Sequence, residues 1–349
     1  MATTVESTTT AAPQRRSGEE TAVLASRVAL GVLTATFAVL LAADAVPPLE
    51  VQMLLYLVGM VALNLPHGGF EHFTNVRRRG LPFGGRYIAL YLGFVAAFTG
   101  LFFVAPVLGL GLAFATAMAK SGHGDLRVMD ALTGTSHLRT RSQRALAALV
   151  RGAPVMVVPM VAWPETFQQF GAVMVRIFDP AAVSRLDLGM ALGPPVLGSL
   201  LAVAVVVHVL LGYRAEGAST AWRRDVGELA LLLAFFAVVP VVVAIGLYFP
   251  LWYSLRQSAR SAVAERALGE PAESEGMTLP LAFGVLIVGA LATALVAALL
   301  WAVAPDPLGG ASLLPGVVAF YTIFVSIIAM PHVVVGEWLD PTRGIWFVP

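Results

Sequence analysis

Nine apolar segments, separated by short breaks, occupy most of this 349-residue sequence. A helix of about 20 apolar residues crosses the roughly 30 Å hydrocarbon layer of a bilayer, and most of the segments approach that length. We therefore predict an all-α fold, namely a polytopic integral membrane helical bundle with about 8–9 transmembrane helices, located in the cell membrane as a multi-pass protein. The segments cover approximately residues 22–43, 51–65, 87–104, 107–119, 145–161, 190–211, 226–249, 279–303 and 313–335.

The composition agrees with a lipid environment and excludes several kinds of site. Hydrophobic residues make up 58% of the chain and charged residues only 12%, with a mean hydropathy of +0.81, whereas soluble proteins carry about a quarter charged residues. A net charge of +1 gives no sign of a nucleic-acid partner. Because the chain has no cysteine, it has no disulfide, no cysteine-ligated metal site and no thiol nucleophile. A metal ion would need histidine, carboxylate or water ligands.

The distribution of polar residues predicts the domain organisation and part of the topology. Residues 1–20 are rich in Thr, Ala and Ser and are predicted to form a disordered tail, followed by a single multi-span membrane domain over residues 21–349. Clusters of arginine fall on alternate connections if the N-terminus is cytoplasmic, but this alternation breaks after residue 250. The polar segment 256–276 is interpreted in its first half as an amphipathic helix at the membrane interface.

The motif at residues 66–72, with the sequence PHGGFEH, places ionisable side chains at the end of the second apolar segment. Such groups at membrane depth are costly and mark ligand, ion or catalytic sites. His67 and Glu71 are four residues apart and share one face of a helix. The two glycines between them leave that face open to another helix, a metal or a flat ligand. The alternative is a histidine at a helix end that is hydrogen-bonded to a carbonyl, and the motif alone does not separate the two.

His123 closes the fourth apolar segment as His67 closes the second, and the predicted topology puts both near one face of the membrane. Two neutral imidazoles at one depth are the start of a metal site with nitrogen ligands. Glu71 and Asp125 are candidates for accepting hydrogen bonds from these imidazoles and fixing their tautomers. His332 ends a Pro-interrupted apolar run and is a further candidate ligand if its helix packs against that of His67.

The remaining histidines are predicted to have structural roles. His208 lies among Leu and Val in the sixth segment and is interpreted as a contact between helices. His137 follows a Thr- and Ser-containing stretch among arginines and is interpreted as a loop residue. His72 is expected to face the interface beside the arginines at 77–79.

Four motifs in this order resemble the Brp/Blh family of integral membrane β-carotene 15,15′-dioxygenases, which are found with microbial rhodopsins. They are LPHGGFEH at 65–72, GHGD at 122–125, YFPLWYSLR at 248–256 and MPHVVV at 330–335. The resemblance extends from about residue 40 to the C-terminus. Trp338 to Trp346 is similar, though weakly, to the archaeal branch.

The resemblance implies oxidative cleavage of the central double bond of β-carotene by O₂ at a non-haem Fe(2+), giving two molecules of retinal for a rhodopsin apoprotein. It also implies four histidine ligands, of which the first two match His67 and His123. The last two form a His-Ser-x-x-His pair in the family, and this sequence has Tyr253 and Gln257 at those positions. Neither a phenol nor an amide binds Fe(II) as well as imidazole does. We therefore expect a weakened iron site.

Two other functions stay open at this stage. A non-catalytic relative would bind carotenoid or retinal without cleaving it, and a transporter would use the same intramembrane polar groups as a substrate pathway. A rhodopsin is disfavoured, because its Schiff base needs a lysine within a span. The only lysine of this chain, Lys120, is predicted at the end of a segment.

Overall fold

The computed structural model describes residues 18–64, 85–268, 291 and 293–338. Within these residues the regular secondary structure is entirely helical, which confirms the predicted all-α class. Three short π-helical stretches, Val58–Asn64, Met129–Thr133 and Phe249–Ser254, each follow directly on an α-helix. The helices are α1 (Gly18–Ala42), α2 (Leu49–Leu57), α3 (Gly85–Val104), α4 (Pro106–Val128), α5 (Arg141–Gly152), α6 (Pro154–Ala162), α7 (Pro164–Arg176), α8 (Val183–Glu216), α9 (Thr220–Val238), α10 (Val241–Tyr248), α11 (Leu255–Leu268), α12 (Thr293–Val303) and α13 (Leu313–Trp338).

Prolines set where several helices begin. The helices α4, α6 and α7 each start with proline, whose missing N–H costs nothing in the first turn. The predicted segment 145–161 consequently bends by 46° between α5 and α6, because Pro154 cannot continue the hydrogen bonding of α5. The segment 226–249 breaks in the same way, with Val239 extended before Pro240.

Three stretches of helix in the described residues are long and apolar enough to cross a membrane, and the bent pair α5–α6 would be a fourth. The three are Gly18–Ala42, Pro180–Glu216 and Leu313–Pro331. Leu188, Leu192 and Val203 on α8 are 66%, 65% and 62% exposed, and side chains of this kind suit lipid rather than water. The predicted total of 8–9 transmembrane helices stays a prediction, since other apolar helices are shorter and residues 269–290 lie outside the described part.

The crossing of α4 and α5 is close enough to require glycine on both helices. A Cβ on Gly122 would lie 1.9 Å from the carbonyl oxygen of Ala148, and one on Gly152 would lie 2.0 Å from that of Met118. No other residue fits here without separating the backbones. The contact fixes the C-terminal half of α4, which carries His123 and Asp125, against α5.

The start of α11 differs from the interfacial helix that the sequence suggested. Arg256 and Gln257 in its first turn are 1% and 3% exposed, and α11 packs against α1. The interfacial interpretation is therefore wrong for the first turn of this helix, because its charge is neutralised inside the protein rather than at the membrane surface.

Two buried apolar clusters hold the helices together. The first is built mainly from α2, α9 and α10 and includes Phe235, Phe236 and Trp252. The second is built mainly from α3, α7 and α13 and includes Phe102 and Phe324. A cavity lined by residues of both clusters lies between them.

Candidate functional site

The late sequence motif packs directly against the His123 segment of α4. Tyr253 and Gln257, four residues apart, are buried. A Cβ added to Gly124 would lie 2.7 Å from both Tyr253 Cε2 and Gln257 Nε2. Glycine at position 124 therefore gives the phenol and the amide the space that they occupy, one residue from the half-buried His123.

An apolar cavity begins beside this contact and extends between α4, α10 and α13. Part of its boundary is open to the outside. Aromatic, aliphatic and methionine side chains form most of its wall, and the polar groups are few. Those polar residues are Tyr56, Thr116, Lys120, Tyr253, Ser254, Thr322 and Ser326.

Arg151 of α5 is the centre of a buried ionic network next to the site. Its side chain is fully buried, and each of its three nitrogens donates to a different carboxylate. Nε donates to Asp125 over 2.6 Å, Nη1 to Asp225 over 2.6 Å and Nη2 to Glu228 over 2.5 Å. The planar fork of arginine suits such multiple recognition, which an ammonium group cannot match.

Arg256 and Arg27 complete the network around Glu228. The Arg256 guanidinium donates to both Glu228 oxygens, over 3.0 and 2.9 Å, and its Nε lies 3.1 Å from Asp125 Oδ1. It also lies 4.2 Å from the ring centroid of Trp252, a cation–π contact. Arg27 of α1 donates through Nε to Glu228 over 2.7 Å. Three guanidinium groups thus face three carboxylates, which neutralises the charge inside the protein.

Two histidines share one oxygen of the network. The Nε2 atoms of His137 and His208 lie 2.8 and 2.9 Å from Asp225 Oδ2. An ionised carboxylate only accepts hydrogen bonds, so both imidazoles must carry a proton on Nε2. His208 is therefore the predicted contact between helices, and His137 lies in the predicted loop before α5, although it is fully buried.

The network fixes the positions of the two helices that carry the candidate site. Asp125 is two residues from His123 on α4, and Arg256 is the neighbour of Gln257 on α11. Breaking a buried pair by removing one partner leaves an uncompensated charge at a cost of about 3–5 kcal/mol. The network therefore resists relative movement of α4 and α11.

The predicted ligand residues are described only in part. His67 and Glu71 lie outside the described residues, and of His332 only the helical backbone of α13 is described. Asp125 was expected to orient an imidazole, and the structure gives its carboxylate arginine partners, Arg151 and Arg256. Within the described residues no three His, Asp or Glu side chains are grouped so as to hold a metal ion.

The site residues predicted from the sequence do not include Arg151, Asp225 and Glu228. Arg151 was visible as an arginine inside a predicted apolar segment, and Asp225 and Glu228 as two acids three residues apart at the start of another. Ionisable residues in spans usually pair with one another. That rule would have suggested that Arg151 pairs with an acidic residue, but not which helix carries that residue.

The fold and the site define a helical protein with candidate membrane spans and an apolar cavity whose wall carries a few polar side chains. The sequence profile of the family described as Beta-carotene 15,15'-dioxygenase matches residues 58–340 of this chain. The chain belongs to that family, as the four motifs predicted.

Two relatives from Halobacterium salinarum are similar over most of their length. The probable beta-carotene 15,15'-dioxygenase Brp is 54% identical over 335 residues, which cover 93% of each chain. The probable beta-carotene 15,15'-dioxygenase Blh is 31% identical over 301 residues, covering 82% of this chain and 83% of the relative. No solved structure matches the chain significantly.

Proposed function

We propose that this protein cleaves the central 15,15′ double bond of β-carotene with O₂, giving two molecules of retinal. The observation that carries the proposal is the apolar cavity lined by Tyr253, whose ring also packs against α4 at Gly124, next to His123. The family and the names of the two relatives support β-carotene as the substrate.

The cavity wall suits an apolar polyene. Phe114, Phe167, Phe170 and Phe249 line it together with valines and methionines, and such a wall binds and orients a hydrocarbon by burial rather than by hydrogen bonds. β-Carotene is dissolved in the bilayer, so a cavity between apolar helices needs no aqueous route for its substrate.

We further propose Fe(2+) as the cofactor. The described residues alone do not fit an iron site, since they offer one imidazole, that of His123, beside a phenol and an amide. A site therefore depends on His67, with Glu71 or His332 completing the ligand set. Bound iron would supply the O₂ chemistry that side chains lack. The protein would bind the polyene and place its central double bond near His123.

The setting of the reaction is part of the same proposal. Residues 21–349 would form one multi-pass domain in the cell membrane, preceded by the tail at 1–20. The bilayer delivers the substrate, and a rhodopsin apoprotein would receive the retinal. No nucleic acid takes part.

A second candidate is a non-catalytic protein that binds carotenoid or retinal. Tyr253 and Gln257 favour it, because they replace two expected nitrogen ligands with groups that bind Fe(II) less well. The cavity would serve either function.

The test is to express the full chain in bacterial cells that make β-carotene and to measure pigment and retinal by chromatography. Cleavage bleaches the cells and gives about two retinals for each β-carotene lost. The His123→Ala variant, expressed to the same level in the membrane, should leave the cells orange. Orange cells with wild-type protein, together with carotenoid that copurifies with it, would favour the binding alternative. Bleaching by His123→Ala as fast as by wild type would exclude His123 from the reaction.

A further inference from the structure

Lys120 is the only lysine of the chain, and its side chain lines the apolar cavity. It lies on the face of α4 that also carries Ala113, Thr116 and Ala117, at the spacing of one helical face. Seven residues of α-helix rise about 10 Å, so this face forms a wall of that length with Lys120 at one end. The sequence had placed Lys120 at the end of a segment and gave it no role.

The surroundings of the amine are apolar and aromatic. Lys120 Nζ lies 5.5 Å from the ring centroid of Tyr253. The described lining contains hydroxyl groups but no carboxylate, and the nearby Asp125 is engaged by Arg151 and Arg256. A lysine in a hydrophobic pocket is the arrangement that proteins use when the amine reacts with a carbonyl compound.

We propose that Lys120 forms a reversible imine with an apolar polyene aldehyde bound in the cavity, of the class of the C20 retinals. This inference rests on the proposed function in one respect, namely that central cleavage of a C40 carotene produces such aldehydes inside this cavity. The cavity would then be a covalent binding site for the product as well as a site for the substrate.

The chemistry needs no oxidant or reductant. The lone pair of neutral Nζ attacks the aldehyde carbon, and proton transfer gives a carbinolamine. Loss of water then forms the C=N bond, with the aldehyde oxygen leaving together with the two hydrogens of the amine. Hydrolysis reverses each step and releases the aldehyde. One retinal is thereby held at α4 until water or another amine takes it.

The test uses purified full-length protein in detergent with added all-trans-retinal, followed by borohydride to reduce any imine to a stable amine. Mass spectrometry of chymotryptic peptides should find one retinyl group on Lys120. The Lys120→Arg and Lys120→Met variants leave the N-terminus as the only primary amine and should lose at least nine-tenths of the label. Arg141→Lys adds an exposed amine on the first residue of α5, and it should be labelled at least tenfold less than Lys120.

Competition checks that the cavity, rather than reactivity alone, directs the label. β-Carotene incorporated into the same micelles should reduce labelling of Lys120 and leave labelling of the N-terminus unchanged. The inference is overturned if wild type carries no retinyl group on Lys120, if Arg141→Lys is labelled equally at both lysines, or if β-carotene does not compete.

The labelling of Lys120 does not depend on catalysis, because the retinal is supplied from outside. Bleaching of β-carotene-producing cells without labelling of Lys120 would overturn the imine and leave the proposed function intact. Labelling of Lys120 in a protein that never bleaches the cells would support the imine and contradict cleavage.

Discussion

Replacing Arg151 tests whether the buried network holds the site together. In Arg151→Met the guanidinium that bonds to Asp125, Asp225 and Glu228 is lost, and methionine fills much of the same volume. Arg27 and Arg256 remain but leave three buried carboxylates facing two cations. Removing one partner of a buried ion pair costs about 3–5 kcal/mol. Each kcal/mol of lost stability lowers the melting temperature of a large domain by roughly 2 °C or slightly more. The melting temperature of Arg151→Met should therefore fall by roughly 6–10 °C.

The assay is the apparent melting temperature of purified protein in one detergent, followed by tryptophan fluorescence. Arg144→Met on the same helix is the matched control, since Arg144 pairs with the partly exposed Asp130 and such pairs contribute about 1 kcal/mol or less. Arg151→Lys should fall between wild type and Arg151→Met, because one ammonium group cannot reach three carboxylates as the fork does. If Arg151→Met and Arg144→Met melt within about 2 °C of each other, the network does not stabilise the fold as argued.

Three further predictions concern the membrane, the helix crossing and the iron. The protein should stay in the membrane fraction through carbonate and high-salt washes, because buried apolar spans insert almost irreversibly, and recovery in the soluble fraction would contradict the proposed location. Gly122→Ala should abolish stable expression, because its Cβ would meet the backbone of α5, whereas Gly111→Ala, at a position with open space around it, should not. Equal yields of the two variants would mean that α4 and α5 do not touch at Gly122. Because Tyr253 and Gln257 are weaker ligands than imidazole, wild type should lose iron on purification and retain little by elemental analysis, whereas Tyr253→His with Gln257→His should raise retained iron and retinal formation. Stoichiometric iron in purified wild type would show that other ligands serve.

The class of fold was predictable from the sequence because apolar segments of membrane length leave few alternatives to helices. The breaks inside those segments coincide with Pro154 and Pro240, but proline alone does not predict a break, because Pro159, Pro194 and Pro195 lie inside continuous helices. The burial of the first turn of α11 was not, since a helix with Arg256 and Gln257 in that turn has the polarity of a surface helix. Glu228 and Asp125, on two other helices, receive that arginine inside the protein.

The candidate site was predictable as a set of motifs and only partly as an arrangement. The family resemblance brought the GHGD and YFPLWYSLR motifs together, and the structure shows their contact at Gly124. The partners of Asp125 were harder to predict from the sequence. A carboxylate two residues from a candidate ligand suggests an imidazole partner, but Arg151 and Arg256 reach it from helices whose packing a single sequence does not reveal.

The glycine crossing of α4 and α5 separates residues that can be altered from residues that cannot. Gly122 meets the backbone of α5, whereas Ala113 and Ala117 on the same helix border open cavity space. Larger side chains at the two alanines would shorten the room for a polyene without disturbing the contact between helices. An engineer who wishes to select carotenoids by length therefore has two positions on α4 to vary, on a helix whose location the crossing keeps fixed.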